Sequence, residues 1–148
     1  ILKKIQPETI PHLTNLLKEH AVKVSRSANF TLEFKSHGKP VQLSADIQNA
    51  VFYAFYEILN NVEKHSKASL VKIRVIWSEA FLDISVTDNG IGFDPRSVNA
   101  DEHFGLEILQ ERIARLNGQL SMNSSADSGT LVSISVPFQL RDKEAHEQ

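Results

Sequence analysis

The chain has 148 residues, 41% of them hydrophobic, with a net charge of −2 and no cysteine. That length and apolar content fit one domain with a real core, and the charge gives no electrostatic case for nucleic acid or an anionic membrane. Disulfides and thiolate metal sites are excluded, no apolar run approaches the ~18 residues of a spanning helix, and the polar sequence after Ile1-Leu2-Lys3-Lys4-Ile5 does not read as a signal peptide, which together fit a cytosolic protein.

The start without Met reads as an excised fragment. Pro7 and Pro11 break any helix in residues 1–11, which read as a linker or the tail of a preceding element. His12 to Val24 carries Leu13, Leu16 and Leu17 at helical spacing. Phe30-Thr31-Leu32-Glu33-Phe34 alternates and predicts a strand, and His37-Gly38-Lys39-Pro40 predicts a turn. A long helix is predicted from Ser44 to His65, with Ile47, Val51, Ala54, Ile58 and Val62 as its buried stripe. Val71, Ile73 and Val75, then Leu82, Ile84 and Val86, predict two strands of a hairpin joined through Trp77-Ser78-Glu79-Ala80. Residues 94–103 read as a polar loop, and Phe104 to Leu116 as a helix stopped by Asn117-Gly118. Leu120–Ser124 and Leu131–Pro137 are the last strands, followed by a charged tail. The order predicts an α+β two-layer sandwich, one mixed, mostly antiparallel sheet with helices on one face.

Four stretches carry chemistry. Glu57, Asn61 and Lys64 lie at i, i+4 and i+7, on the shoulder of the buried stripe at roughly 100° per residue. A carboxylate, a carboxamide and an ammonium there suit a metal and phosphates held beside a sheet; the same residues alone also describe an ordinary solvated helix flank. Asn61 is the expected ligand rather than Asn60, because only Asn61 shares that stripe. Asp88-Asn89-Gly90-Ile91-Gly92 closes a strand, either as a plain turn or as glycines that admit a ligand next to a hydrogen-bond acceptor. His103-Phe104-Gly105-Leu106 precedes a helix, where a glycine frees the approach of an anion to the helix N-terminus. Ser128-Gly129-Thr130 enters the last strand and is a hairpin turn or the source of a hydroxyl for a base. There is no G-x-G-x-x-G or Walker sequence.

Together these stretches resemble the GHKL ATPase superfamily, over roughly residues 28–138. Glu57-x3-Asn61-x2-Lys64-His65 is similar to its N box and Asp88-Asn89-Gly90-Ile91-Gly92-Phe93 to its G1 box. Phe104-Gly105-Leu106 with Glu111-Arg112-Ile113 is similar to the second glycine box and its helix, and Ser128-Gly129-Thr130 to the last box. The Asn-x-x-Lys-His form resembles the sensor histidine kinases that pair with LuxR/NarL-type response regulators. The resemblance implies the Bergerat ATP-binding fold, with ATP and Mg²⁺ as ligands. It implies that Asn61 coordinates Mg²⁺, that Glu57 orients or deprotonates the attacking group, and that Lys64 and His65 face phosphate or ribose. Asp88 would bond the adenine amino group and Thr130 would support the base. Gly90 and Gly92 would give the base and lid room, and Phe104, Gly105 and Leu106 would close a short lid over residues 93–104.

Two positions and one stretch depart from the pattern: His103 and Asp127 stand where the boxes usually have glycine, and the helix reads Ile108-Leu109-Gln110-Glu111-Arg112 where the family usually has Gly-Met-Arg-Glu-Arg. The rival readings are an anti-sigma-factor serine kinase of the same superfamily and a non-catalytic nucleotide-sensing or docking module. The implied organisation is a linker or end of a dimerisation region plus the first helix in 1–27, the ATPase domain in 28–138 and a polar tail in 139–148. The phosphoacceptor histidine would lie on a separate dimerisation domain of the same protein, outside this chain. His12 and His20 lack the following acidic residue of such an acceptor. The full protein would be a homodimeric, membrane-anchored bacterial sensor with this part in the cytoplasm. Trp77, Phe52, Tyr53, Phe55 and Tyr56 read as packing aromatics, His37 as a turn residue and His146 as tail.

Overall fold

The computed structural model describes residues 12–91, 100–124 and 128–138, with the backbone alone for 100–104. The first helix, α1, runs from Leu13 to Ala28 because Leu13, Leu17, Ala21 and Val24 fall on one buried face. It continues a turn past the predicted Val24 and stops at Asn29, whose φ of 64° turns the chain left-handed and returns its N–H to the Ser25 carbonyl. Strand β1 follows, Thr31–His37, so His37 belongs to the strand rather than to a turn.

Helix α2, Ala45–Asn61, starts at Ser44, whose Oγ accepts the Ile47 N–H at 3.3 Å. The expected stripe is present: Val51, Ala54, Ile58 and Val62 are buried and Ile47 is half-buried. Phe55 and Leu59 widen the stripe, both fully enclosed. The α geometry ends at Asn61, four residues before the predicted His65, and gives way to a π turn over Val62–Ser66. Lys67, at φ 53°, then sends the chain into strand β2, Leu70–Trp77.

Strand β3 is Phe81–Asp88, helix α3 Ala100–Ala114, strand β4 Gln119–Ser124 and strand β5 Thr130–Pro137. Trp77 ends β2 instead of opening the connection. Helix α3 begins at Ala100, before the predicted Phe104. Its stop is as expected, with Asn117 supplying the left-handed residue (φ 62°) and the Gly118 N–H returning to the Ile113 carbonyl.

The five strands lie in the order β1-β2-β3-β5-β4. β1 and β2 run parallel, which needs a long crossover, and α2 with its π turn is that crossover. The other neighbours are antiparallel. Register stacks the core in rungs across the sheet: Trp77–Leu82–Val136, Val75–Ile84–Ile134–Leu120 and Ile73–Val86–Val132–Met122. These side chains meet the apolar faces of the helices, while the alternate residues Arg74, Ile76, Asp83, Ser85, Ser121 and Ser133 line the opposite, open face. The architecture is thus the expected α+β two-layer sandwich.

One buried polar contact fixes α1 to this layer. Trp77 Nε1–H donates to Thr14 Oγ1 at 2.9 Å, and both residues are buried. Replacing one partner strands the other in the core, at a cost of about 1–3 kcal/mol. Thr14→Val is therefore expected to lower the unfolding free energy by about 2 kcal/mol in a urea titration. The Thr14→Val/Trp77→Phe pair should lose less than the sum of the single changes.

Candidate functional site

The next rung of the sheet is where the core turns polar. Register places Val71 opposite Asp88, Asp88 opposite Thr130, and Thr130 opposite Ser124. Asp88 and Thr130 continue the buried faces of β3 and β5, so their functional groups lie at the end of the core. Asp88 is only 6% exposed, and its Oδ1 accepts the Gly90 N–H at 2.8 Å. Burial raises its carboxyl above the ordinary carboxylate value, and backbone hydrogen bonds from Gly90 and Thr130 pull it partly back. The Thr130 hydroxyl is 2.8 Å from the Ser124 hydroxyl, which also donates to the Gly129 carbonyl at 3.2 Å. A recess of about 250 Å³ opens beside this rung, lined by Asp88, Asn123, Ser124, Ser128, Gly129 and Thr130 among others.

Two glycines let the backbones meet here. A Cβ on Gly90 would stand 2.1 Å from the Ser66 carbonyl oxygen, and Gly129, at φ 80°, would place one 2.2 Å from the Asp88 oxygen. The first contact brings the two sequence stretches together. Ser66 closes the π turn, and its carbonyl accepts the Ile91 N–H at 2.8 Å. Gly90 therefore makes room for the end of the helix as well as for any ligand. Asn89 adds a second tie: its Oδ1 accepts the Ser69 and Leu70 N–H groups, each at 2.9 Å, and its Nδ2 donates to Ser69 Oγ at 2.9 Å.

On the helix side, Glu57 is half-buried and Asn61, Lys64 and His65 are exposed. Glu57 and Asn61 keep the expected α spacing, and Asn60 is the more buried of the two neighbouring asparagines. Lys64 and His65 lie inside the π turn, so the i+7 alignment drawn for Lys64 does not carry through it. Among the described residues no group of three or more His, Cys, Asp or Glu could hold a metal. A lone carboxamide oxygen at Asn61 fits Mg²⁺, which takes few protein ligands and completes its octahedron with phosphate and water oxygens.

Gly105 is placed differently from expectation. It lies inside α3 rather than before it, exposed, with open space where a Cβ would go. Leu106 is half-buried against the core. The Phe104 side chain, Gly92, Asp127 and residues 93–99 of the expected lid lie outside the description, and the part of that lid from Ala100 onward is helical. Two contacts of α2 were not legible: the Arg112 guanidinium of α3 lies 4.4 Å from the Tyr53 ring centre, and His20 of α1 stacks on Tyr56 at 4.4 Å. Tyr53 and Tyr56 are thus exposed on one side rather than core packing, whereas Phe55 and Trp77 are core. His20 is half-buried with its ring against Phe52, Phe55 and Tyr56, and burial lowers its pKa, with Lys23 acting the same way and Glu63 against.

Residues 46–140 match the family model of the histidine kinase-, DNA gyrase B- and HSP90-like ATPases. The signal transduction histidine-protein kinase/phosphatase DegS of Brevibacillus brevis is 31% identical over 82% of the chain, which spans 31% of that relative. The nitrate/nitrite sensor protein NarQ of Escherichia coli is 32% identical over 74% of the chain, which spans 19% of it. The sensor histidine kinase LiaS of Bacillus subtilis is 31% identical over 72%, and the chain spans 29% of it. In structure, the histidine kinase domain of the Erythrobacter litoralis EL346 blue-light activated histidine kinase matches with a TM-score of 0.70 at 20% identity, over 97% of this chain and 68% of that one. No described helix is long and apolar enough to cross a membrane.

The site generates two predictions. Gly90→Ala should cost about 2 kcal/mol of stability in chemical denaturation, because the added methyl meets backbone at Ser66 rather than a yielding side chain. The raised Asp88 pKa means that the protonated carboxyl is the form the fold favours. Its stabilising contribution is complete below the ordinary value of 3.8 and is lost as pH rises through the folded-state value. Asp88→Asn should therefore raise Tm at pH 7, with the gain shrinking as the pH is lowered toward that value.

Proposed function

As the chain belongs to the histidine kinase-, DNA gyrase B- and HSP90-like ATPases, we propose that it is the ATP-binding catalytic domain of a sensor histidine kinase. The observation that carries this reading is the joint at Ser66. It ties the strand end that carries a buried acceptor, Asp88, to the helix end that carries an exposed amide, cation and imidazole, at Asn61, Lys64 and His65. A nucleotide has that same division, a flat base with an amino group at one end and phosphates at the other.

In this reading the ionised Asp88 accepts from the adenine amino group, and Thr130, oriented by Ser124, supports the base. Gly92, Phe104, Gly105 and Leu106 belong to the region over the nucleotide. Asn61 would hold Mg²⁺, which supplies charge neutralisation to the phosphates when bound. Lys64 and His65 face the same phosphates. Glu57, one turn before Asn61, orients the incoming imidazole or takes its proton. The nitrogen–phosphorus bond forms as the bond from the γ-phosphorus to the β,γ-bridging oxygen breaks, and ADP leaves. The acceptor histidine lies on the dimerisation domain of the same, homodimeric protein, and the phosphoryl group passes on to an aspartate of a LuxR/NarL-type response regulator. The catalytic unit is residues 28–138, with α1 packed as part of the same core. The parent protein in this reading is a membrane-anchored bacterial sensor whose kinase lies in the cytoplasm; the bacterial relatives NarQ, named a nitrate/nitrite sensor protein, and LiaS, named a sensor histidine kinase, support the sensor part of it.

The test is incubation of the domain with labelled ATP, Mg²⁺ and the dimerisation domain of a histidine kinase that pairs with a NarL-type regulator. The expected product is acid-labile phosphate on that partner, and Glu57→Gln should slow its appearance by roughly 10²-fold or more. Acid-stable phosphate, or none despite nucleotide binding, would remove the histidine-kinase assignment.

A further inference from the structure

We propose that Asn89 is a positioning residue that sets the distance between the base end and the phosphate end of the nucleotide site. The inference rests on the nucleotide reading given above. Three of its observations are independent of that reading.

First, the Asn89 carboxamide makes three hydrogen bonds to the start of β2. Oδ1 takes the N–H groups of Ser69 and Leu70, Nδ2 donates to Ser69 Oγ, and the Asn89 N–H itself donates to the Leu70 carbonyl at 3.2 Å. Asn89 thereby extends the pairing of β3 with β2 beyond its last register pair, Val71 with Asp88. Second, Ser69 and Leu70 stand three and four residues after Ser66, the end of the π turn, with Lys67 in the left-handed conformation between them. Movement of the start of β2 is therefore movement of the chain that carries Asn61, Lys64 and His65. Third, the same junction is held two residues further on, where the Ile91 N–H donates to the Ser66 carbonyl, while Asp88 Oδ1 accepts the Gly90 N–H and fixes the strand end around Asn89.

The residue touches neither end of the proposed ligand but holds the segment between them. A ligand that contacts only the base end does not sense that distance. A ligand that spans both ends gains its second set of contacts only when the distance is right. Release of the clasp should therefore separate two affinities that a general loss of structure would lower together.

The experiment measures calorimetric binding of two ligands, adenosine and a non-hydrolysable ATP analogue with Mg²⁺, well below each variant's Tm. For Asn89→Ala the affinity for the Mg²⁺–analogue pair should fall about tenfold, in the range seen when supporting residues behind a ligand are removed. Adenosine affinity should stay within about twofold. Ser69→Ala removes only the Nδ2 bond and keeps the Ser69 and Leu70 backbone N–H donors to Oδ1. It should shift the analogue about two- to threefold in the same direction, and it carries the test if Asn89→Ala does not fold. Equal weakening of both ligands, or no change in either, would overturn the positioning role while leaving the nucleotide site intact. Failure of the unsubstituted domain to bind the analogue would remove the site reading and this inference with it.

Discussion

The fold hangs on a contact that admits no side chain. The Ser66 carbonyl accepts the Ile91 N–H and sits where the Cβ of residue 90 would be. Helix α2 is the crossover between two parallel strands, so its direction is already set by β1 and β2. The Ser66 contact sets its height: it brings the exit of the crossover to the end of β3, and no residue but glycine at position 90 lets it come so near. The rest of the site inherits its geometry from this point. Asp88 precedes the contact on one strand, and Asn61, Lys64 and His65 precede it on the helix.

The sheet shows the same junction as a change in chemistry along rungs. Successive rungs are apolar until Val71–Asp88–Thr130–Ser124, where three of the four residues carry oxygen. A buried carboxylate there is unfavourable for folding, as the raised Asp88 pKa records, and two backbone N–H groups reduce that cost without removing it. The Thr130 hydroxyl is satisfied by Ser124, and no described buried side-chain oxygen or nitrogen lacks a partner. A polar rung that is satisfied but not comfortable is what a recognition surface at the end of a core requires: fixed in direction, with the remaining acceptor capacity of Asp88 facing the recess.

What was legible in the sequence follows from what periodicity encodes. The stripe from Ile47 to Val62 and the alternation of β2, β3 and β5 are local patterns, and the structure reproduces them. The π turn was not legible, because the residues it displaces, Lys64 and His65, are polar and leave no apolar mark when the register slips. Gly105 misled for a related reason: glycine marks a helix start only when the residues before it are poor helix formers, and Ala100-Asp101-Glu102 are suited to a first turn. Asn89 and Ser124 sat in plain view, one inside a motif and one at a strand end. Their roles depend on which strand lies opposite, and cross-strand register is not written in either stretch. The Thr14–Trp77 bond joins residues 63 apart and is the extreme case.

The base end and the phosphate end of the proposed nucleotide site are built from different materials, and this bears on how they would work. The base end is made of hydrogen-bonded strand termini, where Asp88, Thr130 and Ser124 are each held in a ladder between neighbours. The phosphate end is made of the last turn of a helix, wider than α and closed by Lys67 in a conformation that a lysine adopts at a cost of about 1–2 kcal/mol. That end is tethered by Ser66 to the G1 stretch and by Glu63, which accepts from Ser27 at the end of α1 at 2.6 Å. Under the proposed function, a rigid base end with a tethered phosphate end would let the sheet fix where the nucleotide sits while the tethers fix how far its phosphates reach. The strain at Lys67 falls directly after a short turn that both tethers hold, one at Glu63 and one at Ser66.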